Sequence, residues 1–101
     1  LYNLGVVQNK SCKKIDSIKS YQQSVSIKPD YFDAHNNLGL ALTQTKRFDE
    51  AIIHLNHAVR LNPNFAEAFN NMGTALQDKG DISASIESYK NAIKTITKLN
   101  Q

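Results

Sequence analysis

Glu50, His54 and His57 fall at i, i+4 and i+7 of a helical register, a spacing with which one helix face presents ligands to a metal ion. Ile52, Leu55 and Val59 interleave with them and mark the opposite side as the apolar one. The trio is therefore expected on a solvated polar face. Cys12 stands among Lys10, Lys13 and Lys14, whose charge favours a thiolate. As the single cysteine of the chain it excludes an intrachain disulfide and any multi-cysteine zinc site. Asn9-Lys10-Ser11 has the form of a glycosylation sequon, but no signal peptide accompanies it. There is no glycine-rich phosphate loop and no serine in a nucleophile elbow. The expectation is of no catalytic residue, no metal, no cofactor and no enzymatic activity.

One polar residue does recur in register. Asn3, Asn37 and Asn71 are each followed by an apolar residue and a glycine, giving Asn3-Leu4-Gly5, Asn37-Leu38-Gly39 and Asn71-Met72-Gly73. Pro29 and Pro63 share the interval of 34, and the 101 residues are one short of 3 × 34. Residues 31–64 laid on 65–98 match at Ala34/Ala68, Asn36/Asn70, Asn37/Asn71, Gly39/Gly73, Ala41/Ala75, Leu42/Leu76, Ile52/Ile86 and Ala58/Ala92. Mostly small or apolar and at helical spacing, these are the residues that stacked helices need at their contacts. The units are about 1–30, 31–64 and 65–98, the first truncated at its start, so the chain is expected to be a piece of a longer array.

The elements that position these residues are helices. Phe32, His35, Leu38, Ala41 and Leu42 form one stripe, and Phe48, Ala51, Ile52, Leu55, Ala58, Val59 and Leu61 another. Asp30 and Asn64 are expected N-caps, with Asp33 and Glu67 three residues on in capping-box spacing. Lys79-Gly80-Asp81 predicts a tight turn, glycine ending one helix and aspartate starting the next. A turn is likewise expected around Cys12. With no strand candidate, the reading is six helices in three hairpins.

These residues resemble the tetratricopeptide repeat, whose pattern W-x₂-L-G-x₂-Y…A-x₃-F…P has period 34. The middle unit reads His35-x₂-Leu38-Gly39-x₂-Leu42, Ala51-x₃-Leu55, Ala58 and Pro63. The third reads Phe69-x₂-Met72-Gly73-x₂-Leu76, Ser85-x₃-Tyr89 and Ala92, and the first Leu1-x₂-Leu4-Gly5-x₂-Gln8, Ser17-x₃-Tyr21, Ser24 and Pro29. The resemblance implies an all-α, right-handed α-solenoid of three helix-turn-helix hairpins covering the whole chain. Gln8, Ser17 and Ser24 weaken the apolar pattern of the first unit, which is expected to be the least stable.

In that family the first helix of each pair lines a concave groove. The resemblance assigns peptide-binding positions to Asn3, Asp33, Asn36, Asn37, Leu40, Gln44, Glu67, Asn70, Asn71, Thr74 and Asp78. Asparagine offers both a donor and an acceptor, so a registered column can pair with a peptide backbone of any sequence. The column looks like the asparagine ladder of O-GlcNAc transferases, although the same amides can instead lock one repeat to the next. The carboxylate-clamp subgroup, which grips acidic chaperone tails, is a poor match: Glu67 and Asn71 occupy its cationic positions, Tyr2 and Val6 replace its first-unit lysine and asparagine, and only Asn37 agrees.

The partner expected is an extended protein segment, neutral to basic because Asp33, Glu67 and Asp78 lie along the groove. Residues 1–30 carry five lysines against two aspartates, the source of the net charge of +3. That cluster lacks the long basic stripe and stacking aromatics of a nucleic-acid surface. With apolar residues at 41% and no long apolar run, no membrane span is expected and the default location is cytoplasmic. Two alternatives stand beside the peptide groove. Ile82, Ile86, Tyr89, Ile93 and Ile96 on the last helix suggest a scaffold that forms homo-oligomers through its terminal helices. The array can also be the targeting part of a larger enzyme such as a glycosyltransferase.

Overall fold

The computed structural model describes the backbone of residues 2–99 and the side chains of residues 14–98. These residues are all-helical, in five helices: α1 (Tyr2–Ile27), α2 (Phe32–Gln44), α3 (Phe48–Leu61), α4 (Ala66–Lys79) and α5 (Ile82–Leu99). No strand occurs among them. α2 with α3 and α4 with α5 form hairpins, and α4 also packs back on α2 and α3. The second half of α1 covers α2 through Ile18, Tyr21 and Val25.

The expected first hairpin is a single 26-residue helix, so the count is five and not six. Two turns do form, after α2 and after α4. α4 ends at Gly80 with φ 105°, and α2 ends at Lys46 with φ 65°. In both, the next amide reaches back five residues, Asp81 to Leu76 and Arg47 to Leu42, each at 2.8 Å. The position 34 residues before Lys46 is Cys12, and Lys13 stands where Asp81 caps α5 through its bond from the Ala84 amide, 3.3 Å. Neither glycine nor aspartate stands at Cys12-Lys13, but Lys46-Arg47 turns without them, and the backbone through Lys10–Lys14 continues as helix. Cys12 therefore lies within α1 and not in a turn; its side chain is outside the described residues.

The proline turns depart from expectation by one residue. Tyr31 N donates to Lys28 O at 3.1 Å and Phe65 N to Asn62 O at 3.0 Å. Pro29-Asp30 and Pro63-Asn64 are thus the central pairs of two β-turns, where proline's fixed φ suits the first position. Tyr31 and Phe65 become the N-caps of α2 and α4, and neither helix has a side-chain cap bond. Asp30 and Asn64 belong to the turns instead.

Packing follows the small residues. A Cβ on Gly39 would lie 2.5 Å from Leu55 Cγ, and one on Gly73 2.7 Å from Tyr89 Cε1, so each hairpin closes over a glycine. Ser85 Oγ donates to Gly73 O at 2.8 Å across the second hairpin. Ile18, Leu38, Ala41, Leu42, Ala51, Leu55, Met72, Ala75 and Leu76 form one core running from α1 to α4. Each fully buried leucine contributes roughly 1.5–3 kcal/mol. Leu61, at the end of its predicted apolar stripe, is 41% exposed.

Candidate functional site

The predicted positions lie on the first helices of the two complete hairpins, α2 and α4, which pack side by side. Phe32 and Phe65 meet edge to face at 5.4 Å where the two helices begin. One turn further on, Asn71 Nδ2 donates to Asn36 Oδ1 at 2.9 Å, and Asn36 Nδ2 reaches Glu67 Oε1 at 3.5 Å. Asn36 is 2% exposed. Both ends of its amide are engaged by the next repeat, so the structure gives it to the joint between repeats and closes it to a ligand. Asn71, half-buried, shares that joint.

Asn37 is placed differently. A helical residue step of about 100° carries it out of the joint to an exposed position. There it lines a cavity of about 190 Å³ with Leu40, Ala41 and Gln44 of α2 and Lys14, Ser17 and Tyr21 of α1. The α1 contribution is one that sequence reasoning missed, with Lys14 expected at a turn. The signal was present: Ser17 and Tyr21 stand 68 residues, two full periods, before Ser85 and Tyr89.

Gln44 continues into a second cavity of about 470 Å³ with Thr43, Lys46, Phe48 and Asp78, which joins the far ends of α2 and α4. Glu67 and Asn70 line a third, of about 580 Å³, with Ala66 of α4 and Tyr89, Ala92, Ile93 and Ile96 of α5. Thr74 is half-buried; its hydroxyl lies 3.2 Å from Asn70 O and 3.0 Å from Tyr89 Oη. Asp33 is exposed at the start of α2, and Asn3 falls outside the described side chains. Asn37, Leu40 and Gln44 are thus brought together; Asn36, Asn71 and Glu67 form a joint; Asn70 and Asp78 face separate openings.

Of the predicted trio, Glu50 and His57 are exposed and His54 is half-buried beside a histidine of α2. His35 is 6% exposed, and its Nε2 lies 2.8 Å from Pro29 O. A carbonyl only accepts, so this nitrogen carries the proton and Nδ1 of neutral His35 accepts. His54 Nδ1, 3.2 Å away, is then the donor of that pair. His57 completes the cluster, its ring centroid 5.1 Å from that of His35. Burial holds the His54 pKa below its ordinary value, aided by repulsion from His35 and His57 and opposed by Glu50. Glu50 itself is turned to Arg47, whose Nη2 lies 2.7 Å from Oε2. Among the described residues no three His, Cys, Asp or Glu side chains converge as metal ligands would.

Known proteins share this architecture. A TPR repeat profile matches residues 16–46 and 39–80, and a tetratricopeptide repeat profile matches 66–96. No curated protein matches the chain. Among solved structures, MamA is similar with a TM-score of 0.83 and 25% identity over 96% of this chain and 57% of its own. The TPR2B domain of yeast Sti1, in a pHsp70 complex, gives a TM-score of 0.84 at 23% identity, covering 95% of this chain and 77% of its own. YrrB, a TPR protein with an unusual peptide-binding site, gives 0.80 at 24%, covering 93% and 48%. The chain spans little more than half the length of the MamA chains it resembles. The matched residues run almost unbroken from α1 to α5, and the chain belongs to the tetratricopeptide repeat family.

Proposed function

We propose that this chain is a non-catalytic protein-interaction module that takes an extended peptide segment along the α2–α4 face. The observation that carries the reading is the division of labour between adjacent asparagines. Asn36 is buried in the joint, which fixes α2 against α4, while Asn37 presents an amide at the mouth of the Lys14–Tyr21–Gln44 cavity. An amide held on a rigid helix pairs with a peptide backbone at little further ordering cost. Tyr21 and Leu40 offer the apolar surface that one ligand side chain needs. Asp33, Glu67 and Asp78 are exposed along the rest of the face and favour neutral or basic segments. The paired cations of a carboxylate clamp do not stand at the matching positions. Sti1 TPR2B and YrrB, similar in fold, are a peptide complex and a peptide-binding protein respectively.

The test is selection of peptides from a displayed library, followed by binding to variants. Asn37→Ala and Gln44→Ala are expected to weaken a selected peptide by about 0.5–1.5 kcal/mol each, the net value of one hydrogen bond. Their helical circular dichroism should stay unchanged. Peptides that bind both variants as tightly as the unaltered chain would exclude this face.

A further inference from the structure

The turns after α2 and α4 stand at the same repeat positions and carry opposite charge. Beside the first turn is a cavity of about 540 Å³, lined by Lys14, Ile15 and Ile18 of α1, Gln44 of α2 and the turn residues Lys46 and Arg47. One repeat later the corresponding positions include Asp49, Asp78, Lys79 and Asp81. That set answers its own charge, with Lys79 Nζ 2.6 Å from Asp49 Oδ1. In the first notch the matching pair is Thr45 and Ile15, both uncharged, and no carboxylate lines the cavity. Arg47 is held by Glu50 at 2.7 Å, whereas Lys14 and Lys46 make no ion pair among the described residues. Asp78 shares a neighbouring cavity with Lys46 but does not reach it. Lys46 is also placed at a cost: it holds φ 65° where the next repeat has Gly80 at 105°. Side chains kept in the left-handed region concentrate at ligand sites, and this one is a lysine beside the exposed Ile15.

We propose that this notch anchors an acidic residue of the bound peptide, its carboxylate taken by Lys14 and Lys46 and an adjacent aliphatic side chain resting on Ile15 and Ile18. The anchor extends the groove reading and rests on it. Lys14 and Gln44 line both the notch and the Asn37 cavity, so one segment can pass from one to the other. A carboxylate paired with ammonium groups beside apolar surface is held more firmly than in open water. The charge along the face then fixes how the segment lies. Its acidic residue sits at the α1 end, and its neutral or basic part runs past Asp33, Glu67 and Asp78.

Random peptides displayed on phage and selected on the chain are the probe. Recovered sequences should carry Asp or Glu beside an aliphatic residue more often than the unselected library. Changing that acid to its amide should weaken binding about two- to fivefold. The same change should cost nothing against a Lys14→Ala, Lys46→Gly double variant, because the partner charges are gone. Lys46→Gly relieves the turn, so weaker binding by a variant that melts no lower reads the lost charge and not a damaged fold. Peptides that need Asn37 and Gln44 but show no acid preference overturn the anchor and leave the groove standing. So does an acid-to-amide change that costs the double variant as much as the unaltered chain. Recovery of no peptide, or of peptides that bind Asn37→Ala and Gln44→Ala chains unchanged, overturns both.

Discussion

His54 is where pH reaches the packing. Its folded pKa lies below the ordinary 6.5, first because burial disfavours the charged imidazolium and next because His35 and His57 repel it. The unfolded chain therefore binds more protons than the folded one as pH falls below 6.5, and stability declines through that window. Above it the full contribution is present. One site changes stability by at most about 1.4 kcal/mol per pH unit, and solvent screening of this half-buried ring lowers that ceiling. Urea unfolding at pH 7.5 and pH 5 should show the loss, and His54→Gln should flatten it. An unchanged slope in that variant would assign the pH response to other groups. Asn36 makes the second prediction at this scale. Replacing it with alanine leaves the Asn71 donor half-buried without its acceptor, a cost of about 1–3 kcal/mol. The midpoint in urea should fall accordingly, whereas Asn70→Ala, at an exposed equivalent, should barely move it. Sequence alone marked Asn36 and Asn37 alike; one helical step separates a buried joint from an exposed amide.

The elements obey their turns more than their propensities. Gly80 reaches φ 105° at little steric cost, while Lys46 holds φ 65° with a full side chain. Lys46→Gly should therefore stabilise the chain by up to about 1 kcal/mol, raising Tm by about 4–8 °C for a domain of this size. A lowered Tm would mean that chain entropy outweighs the relief. Gly73 carries the opposite prediction. A methyl there meets the Tyr89 ring within 2.7–2.9 Å, and the ring is tied through its hydroxyl to Thr74 and Gln77. Gly73→Ala should cost about 1–3 kcal/mol in thermal or urea unfolding. The turn at Lys79-Gly80-Asp81 was legible because glycine and aspartate each have a local reason to be there. The continuity of α1 was not, because the repeat's periodicity predicts a turn there, and Lys46-Arg47 one repeat later makes that turn with neither glycine nor side-chain cap.

At the scale of the molecule, the core is a chain of contacts between neighbours, extended over 52 × 32 × 24 Å. Stability in such an array is the sum of its units and their interfaces. Leu55 belongs to both, filling the hole over Gly39 and joining the shared core at 0% exposure. In residues 14–27 only Ile18 is buried. Amide hydrogen exchange should accordingly reach this half of α1 before α2, α3 and α4. Uniform protection across all four helices would show a fold more cooperative than the contacts indicate.

Period, helical class and glycine-lined hairpins were written in the sequence, because each depends on residues close along the chain or one repeat apart. Asn36 and Asn70, or Ile52 and Ile86, could not be told apart that way, since each pair has the same identity and register. Only the tertiary structure separates them. α4 packs on α2 and α3, where Asn36 is buried and Ile52 half-buried, whereas Asn70 on α4 and Ile86 on α5 are exposed, so equal residues become a buried joint and an open surface. The same packing brought Lys14, Ser17 and Tyr21 to the Asn37 cavity. Burial is decided by what lies beside a helix, and local sequence does not record its neighbours.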